Sequence, residues 1–210
     1  MPVYRTISLY DAPTIKAAEG LHWLPVRREL GVGAFGVNAF RAARAGDPVV
    51  EGHEESPGQE ELYVVVCGRA RFTIGGEECD APAGTAIFVA DPAAHRRAIA
   101  IEDGTVVLAV GGWRERPYHP LPWEPIYLAM PQMRSGDWEG AAATIEREAG
   151  DQRDSWPVRY RLACIYARTG ETDRALDELL NAIEVNPALR ERAHEDPALE
   201  PLRGSERWPA

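Results

Sequence analysis

Lysine is almost missing from this chain. Of its 23 basic residues, Lys16 is the one lysine, and the arginines are dispersed among 33 acidic residues for a net charge of −10. That balance excludes the clustered cationic face that nucleic-acid phosphates require. Cysteine is also scarce. Cys67, Cys79 and Cys164 form an odd set with no CxxC or Cys/His spacing, the pattern of reduced thiols in a cytoplasmic protein. No apolar run approaches the roughly 20 residues of a membrane span. Residues 1–5 lack the basic and apolar regions of a signal peptide. Absent too are a Gly-x-Ser-x-Gly elbow, a phosphate loop and a dinucleotide fingerprint; Gly31, Gly33 and Gly36 are too irregular for the last.

What is present divides in two near residue 117. At 210 residues the chain has length for one or two domains. Before the division it is rich in glycine, valine and short alternating runs. Residues 64–66, 71–74, 86–89 and 106–110 read as strands bounded by Gly, Asp or Pro. Residues 32–44 read as one further long strand. Gly75 and Gly76, between Ile74 and Glu77, are a two-residue hairpin signal. Many short strands without intervening helices predict an antiparallel sandwich or barrel. Residues 117–125 carry four prolines and read as a semi-rigid linker. The predicted organisation is therefore a β domain over 1–116, the linker over 117–125 and a helical region over 126–210.

The helical region contains an internal repeat. Leu128, Ala129, Gly136, Ala141 and Ile145 recur as Leu162, Ala163, Gly170, Ala175 and Leu179, each 34 residues on. Tyr166, Ala182 and Pro187 complete the second copy. The first is weaker, with Gln132 in the place of Tyr166 and Pro131 expected to interrupt its first helix. The pattern resembles the tetratricopeptide repeat, a helix-turn-helix unit. Small residues let paired helices approach, Gly136 and Gly170 end the first helix of each pair, and Asp137 and Thr172 stand at cap positions. Asn186–Pro187 and Asp196–Pro197 read as starts of two short terminal helices. Such a region offers either a concavity for a protein partner or a helical layer that steadies the β domain or a dimer. Trp113, Trp123, Trp138 and Trp156 are expected to serve packing rather than ligand stacking.

The chemistry-bearing residues lie in two segments of the β half. The first runs from Gly46 through His53, Glu55 and Glu61 to Gly68, the second from Gly84 to His95 and Ile99. These segments resemble the two motifs of the cupin family, small jelly-roll β-barrels. In the first, two gaps are one residue longer than usual and Glu55 stands where the second histidine belongs. In the second, only Gly84 and His95 are retained. The resemblance covers about residues 32–112 and implies a jelly-roll barrel followed by a helical hairpin repeat region. It also implies a metal set of His53, Glu55, Glu61 and His95. Two imidazoles with one or two carboxylates suit Fe(II), Mn(II), Ni(II) or Zn(II) and leave positions open for substrate. Strand alternation puts Tyr63 on the face of Glu61, where it would contact the ligand, and Glu60 on the other face.

The sequence thus predicts a cytoplasmic bacterial protein, and the resemblance implies a cupin domain and a homodimer. It is expected to bind a small molecule and one divalent transition metal in the barrel, with the helical region packing or docking a protein partner. The competing expectation is a metal-dependent enzyme of oxygenase or isomerase type using His53, Glu61 and His95. Neither nucleic acid nor membrane is an expected partner.

Overall fold

The computed structural model describes residues 4–114 and 118–209. Met1 to Val3, part of the leader reading, lie outside these residues, as do the proposed 116/117 boundary and the first linker proline. The chain forms two compact units, residues 1–119 and 120–210.

The first unit is built from strands. The elements are β1 (Ile15–Lys16), β2 (His22–Leu24), a short helix α1 (Val26–Leu30), β3 (Gly36–Arg41), β4 (Pro48–His53), β5 (Gln59–Cys67), β6 (Arg69–Ile74), β7 (Glu77–Pro82), β8 (Ala86–Val89), β9 (Arg96–Ala100) and β10 (Val106–Trp113). They pair in two sheets, one of order β1-β2-β3-β10-β5-β8 and one of order β4-β9-β6-β7. All the pairings are antiparallel. The sheets do not join into a closed barrel, so the barrel expected from the sequence gives way to an open two-sheet sandwich. Val50, Tyr63, Val65, Phe72, Ala98 and Val107 come from both sheets and share one apolar core. Tyr63 and Phe72 meet across it with ring centroids 5.4 Å apart.

The glycine hairpin is present, with Ile74 paired to Glu77 and positive φ at Gly75 (57°) and Gly76 (89°). The long strand expected over 32–44 is shorter. Gly31, at φ 70°, caps α1, and regular pairing begins only at Gly36. The three cysteines are free, with Cys67 on β5 and Cys79 on β7 in different sheets.

The second unit is helical: α2 (Trp123–Ser135), α3 (Trp138–Glu148), α4 (Trp156–Thr169), α5 (Thr172–Val185) and α6 (Leu189–Glu195), with short 3-10 turns at Gly150–Gln152 and Pro197–Leu202. Gly136 and Gly170 end α2 and α4 in the left-handed conformation, at φ 80° and 82°. Ala129, Ala141, Ala163 and Ala175 are fully buried, with Leu162, Tyr166 and Leu179 around them. The recurring small residues are therefore the places where helices meet.

Several local expectations are corrected. α2 begins at Trp123, inside the proposed linker, and continues through Pro131 to Ser135. Pro131 is exposed, so its missing N–H falls on the side of the helix that water reaches. Asp137 caps α3 through a hydrogen bond from the Gly140 N–H, but Thr172 is the first residue of α5 and Glu171 precedes it without a side-chain cap. Asn186 terminates α5 instead of opening α6. Asp196 does cap the last 3-10 turn, accepting from the Ala198 N–H at 2.9 Å.

Candidate metal and ligand site

His53 ends β4 and Glu61 lies on β5, so they reach the site from different sheets. Glu55 follows β4, and its N–H donates to the Pro92 carbonyl at 2.8 Å, fixing that segment against the turn before β9. One ligand atom from each of His53, Glu55 and Glu61 falls within 4.8 Å of the other two. The His53 Nε2 lies 3.6 Å from Glu55 Oε1 and 3.5 Å from Glu61 Oε2. The Glu55 and Glu61 side chains are 11% and 12% exposed, whereas His53 retains 33% and marks the open side of the cluster.

The hydrogen bonds assign roles. The His53 Nδ1 is 2.7 Å from the Glu51 carbonyl, which holds the tautomer with its proton on Nδ1 and frees the Nε2 lone pair. Tyr63 is fully buried and its hydroxyl donates to Glu61 Oε2, lying also 3.4 Å from His53 Nε2. Burial, then the Glu61 charge, pushes the Tyr63 phenol far above its ordinary value. It is a hydrogen-bond donor, not an anionic ligand. Burial also raises the Glu55 carboxyl, and the neighbouring Glu61 charge adds to the effect. For His53, burial pulls the imidazole down, but the Glu61 hydrogen bond, the Glu51 carbonyl and both carboxylate charges together move it up. The cluster is thus short of positive charge. Glu60 stands apart, pairing with Arg114 at 2.6 Å.

His95 is not in this group. It is exposed, and its ring lies over the Gly52 backbone, where a Cβ on Gly52 would meet it at 3.2 Å. The inward position belongs to Arg96, which is 0% exposed and opposes His53 in the β4–β9 pairing. Its Nη2 donates to the Asp91 and Pro92 carbonyls at 3.2 Å each, and its Nε is 4.0 Å from Glu61 Oε2. Sequence reading missed Arg96 because β9 suggests the opposite phase. Ile99 is its largest aliphatic residue and would draw His95 and Arg97 inward with it. In the fold Ile99 is 39% exposed, while Ala98 and Ala100 face the core, Ala98 opposite Phe72.

The residues present fit a divalent cation. Metal–ligand bonds of about 2.1 Å set neighbouring ligand atoms roughly 3.4 Å apart in a tetrahedral shell. The two separations from His53 Nε2 match that spacing within a few tenths of an ångström. One neutral imidazole and two carboxylates are also a donor set for a first-row metal. Two of the remaining histidines serve other contacts: His22 Nδ1 lies 3.3 Å from the Thr14 hydroxyl, and His194 stacks edge-on with Trp208. No helix among the described residues is long and apolar enough to cross a membrane.

No protein-family model and no curated protein matches this chain. Among solved structures it is similar to a cupin protein from Bacteroides fragilis, at 20% identity and TM-score 0.41 over 58% of this chain and 93% of that one. A sugar phosphate isomerase of a cupin superfamily from Silicibacter pomeroyi has 20% identity and TM-score 0.42, over 52% of this chain and 68% of that one. A predicted oxalate decarboxylase from Thermotoga maritima has 18% identity and TM-score 0.36, over 44% of this chain and 80% of that one.

Proposed function

We propose that this is a cupin-type protein whose two-sheet unit binds a small molecule beside one divalent transition metal. The observation that carries the reading is the convergence of His53 Nε2, Glu55 Oε1 and Glu61 Oε2. Two carboxylates held this close repel unless a cation stands between them. Bound there, a divalent ion would act as a Lewis acid toward a chelated ligand. Tyr63 would hold Glu61 in place and His53 would present its lone pair at the open side. The metal set is then His53, Glu55 and Glu61, with His95 outside it.

Metal content tests the reading. Protein purified without an affinity tag and incubated with Mn(II), Fe(II), Ni(II) or Zn(II) should retain about one equivalent of at least one of them after desalting. Glu55→Gln with Glu61→Gln should abolish retention, and His95→Ala should leave it intact. Wild-type protein that retains none of the four metals, or a His95→Ala protein as deficient as the double variant, sinks the proposal.

A second reading concerns the helical unit, where α2 and α4 line a groove of about 340 Å³. Met133, Trp138 and Ile165 give it apolar surface, and Arg134, Arg161 and Arg168 line it as well. The one carboxylate on the groove, Asp196, is held by the Tyr160 hydroxyl and the Ala198 N–H. Three arginines here, in a chain of net charge −10, favour an acidic peptide segment of a partner protein. A fluorescein-labelled peptide of leucines among glutamates should bind at low salt, and its glutamine counterpart should not. Arg161→Glu with Arg168→Glu should remove the binding. Equal binding of both peptides, or of neither, overturns this assignment.

A further inference from the structure

Arg96 is more deeply enclosed than any residue of the cluster it adjoins, and its hydrogen bonding is incomplete. Nη2 is satisfied by two carbonyls of the 91–92 turn, but Nε and Nη1 are buried without a hydrogen-bond partner. The nearest carboxylate oxygen, on Glu61, is 4.0 Å from Nε, beyond hydrogen-bond reach. Buried guanidinium donors are ordinarily paired, and an unpaired one beside a cluster of functional groups calls for an acceptor that the chain does not supply.

The guanidinium is also a buried charge without a close counter-charge, because arginine stays protonated and the Glu61 oxygen stops 4.0 Å short of Nε. An anionic acceptor answers both needs. Nε and Nη1 do not share an edge of the group, so a carboxylate would meet one of them through a single charge-assisted hydrogen bond.

We infer that Arg96 anchors the carboxylate of the site's small-molecule ligand, which is therefore a small organic acid and not a neutral compound. The inference rests on the metal reading above. In this role Arg96 fixes which ligand binds, while His53, Glu55 and Glu61 hold the ion. Tyr63 keeps Glu61 occupied, so that Glu61 does not close the remaining gap to Arg96.

The test uses full-length protein loaded with Co(II), titrated with glycolate and with its neutral amide, and read by the visible Co(II) absorption and by calorimetry. Glycolate should bind at least about 10-fold more tightly than glycolamide. Arg96→Met should weaken glycolate about 30-fold, the size expected for losing a charge-assisted pair, while Co(II) stoichiometry and circular dichroism stay unchanged. Arg96→Lys, which keeps the charge but not the planar set of donors, should fall between. Equal affinity for acid and amide, no glycolate binding, or an Arg96→Met protein that binds glycolate like wild type overturns the inference. The acid-to-amide ratio needs no variant and stands even if Arg96→Met fails to fold. If wild type takes up no Co(II), the metal reading fails by itself, and calorimetry on the metal-free protein decides the fate of Arg96. Glycolate bound there, and lost in Arg96→Met, retains the anchor; no binding, or binding that survives Arg96→Met, rejects it.

Discussion

His53 and Glu61 stand on different sheets, yet their Nε2 and Oε2 atoms lie 3.5 Å apart. A cation held by both would tie the two sheets together through side chains. Saturating metal should therefore raise the melting temperature of the strand unit. The linkage is worth about 2.7 kcal/mol at a hundredfold excess over Kd. Thermal melts with and without a chelator check this, and His53→Ala should erase the difference.

Gly68 joins β5 to β6 at φ 72°, and a Cβ there would lie 2.5 Å from the Thr105 hydroxyl and 2.9 Å from the Thr105 Cα. Thr105 is itself tied in place, since its hydroxyl donates to the Glu102 carbonyl at 2.7 Å and accepts from the Arg69 N–H at 3.3 Å. Gly68→Ala should cost about 2 kcal/mol or more, combining left-handed strain with the clash. Gly46→Ala, which meets no neighbouring atom at φ 91°, should cost only the strain. Denaturant titration of both proteins separates the two contributions.

The helical caps offer a matched pair. Asp137 accepts from the Gly140 N–H at 2.9 Å, whereas α5 has no side-chain cap and Thr172 is already within it. Asp137→Ala should cost about 1 kcal/mol. Thr172→Ala should be neutral or slightly stabilising, because alanine is the better helix former. Equal losses in urea melts would contradict this difference between the two turns.

The helical unit should be sensitive to alkali. Burial, then the Asp196 charge, pushes the Cys164 thiol up to about 12. Burial likewise raises Tyr160 and Tyr166 above their ordinary values. Each group gives up its proton more readily in the unfolded chain. Stability is therefore full below the ordinary thiol value of 9.0 and falls as pH climbs from there toward 12. Circular dichroism across that range should show the decline, and Cys164→Ala should make it shallower.

The sequence exposed most of the architecture because its strand and helix signals are local. Gly75 and Gly76 demand a hairpin whatever surrounds them, and the alanines spaced 34 residues apart mark where helices meet. The exceptions have tertiary causes. Residues 32–35 have strand-like composition but follow the Gly31 helix cap, so the chain bends before it can pair. His53, Glu55 and Glu61, three of the four residues that the family resemblance implied, come together. His95 does not, because a strand has only two faces and one residue of phase exchanges them. The local pattern of β9 favours Ile99 inward. Small alanines opposite Phe72 decide otherwise, and that contact is invisible in a linear reading. Arg96 enters the site for the same reason.

An open sandwich leaves edges that a closed barrel would remove. β7 lies at the rim of the four-stranded sheet and carries Glu77, Glu78 and Asp80 along its six residues. Asp80 is paired with Arg69, so a second chain approaching to extend that sheet would align its own strand against the Glu77 and Glu78 carboxylates. Two copies of the same rim would repel each other outright. Acidity on this strand thus works as a safeguard against self-templated aggregation, and neutralising it should shorten the soluble lifetime of the protein before it alters the fold.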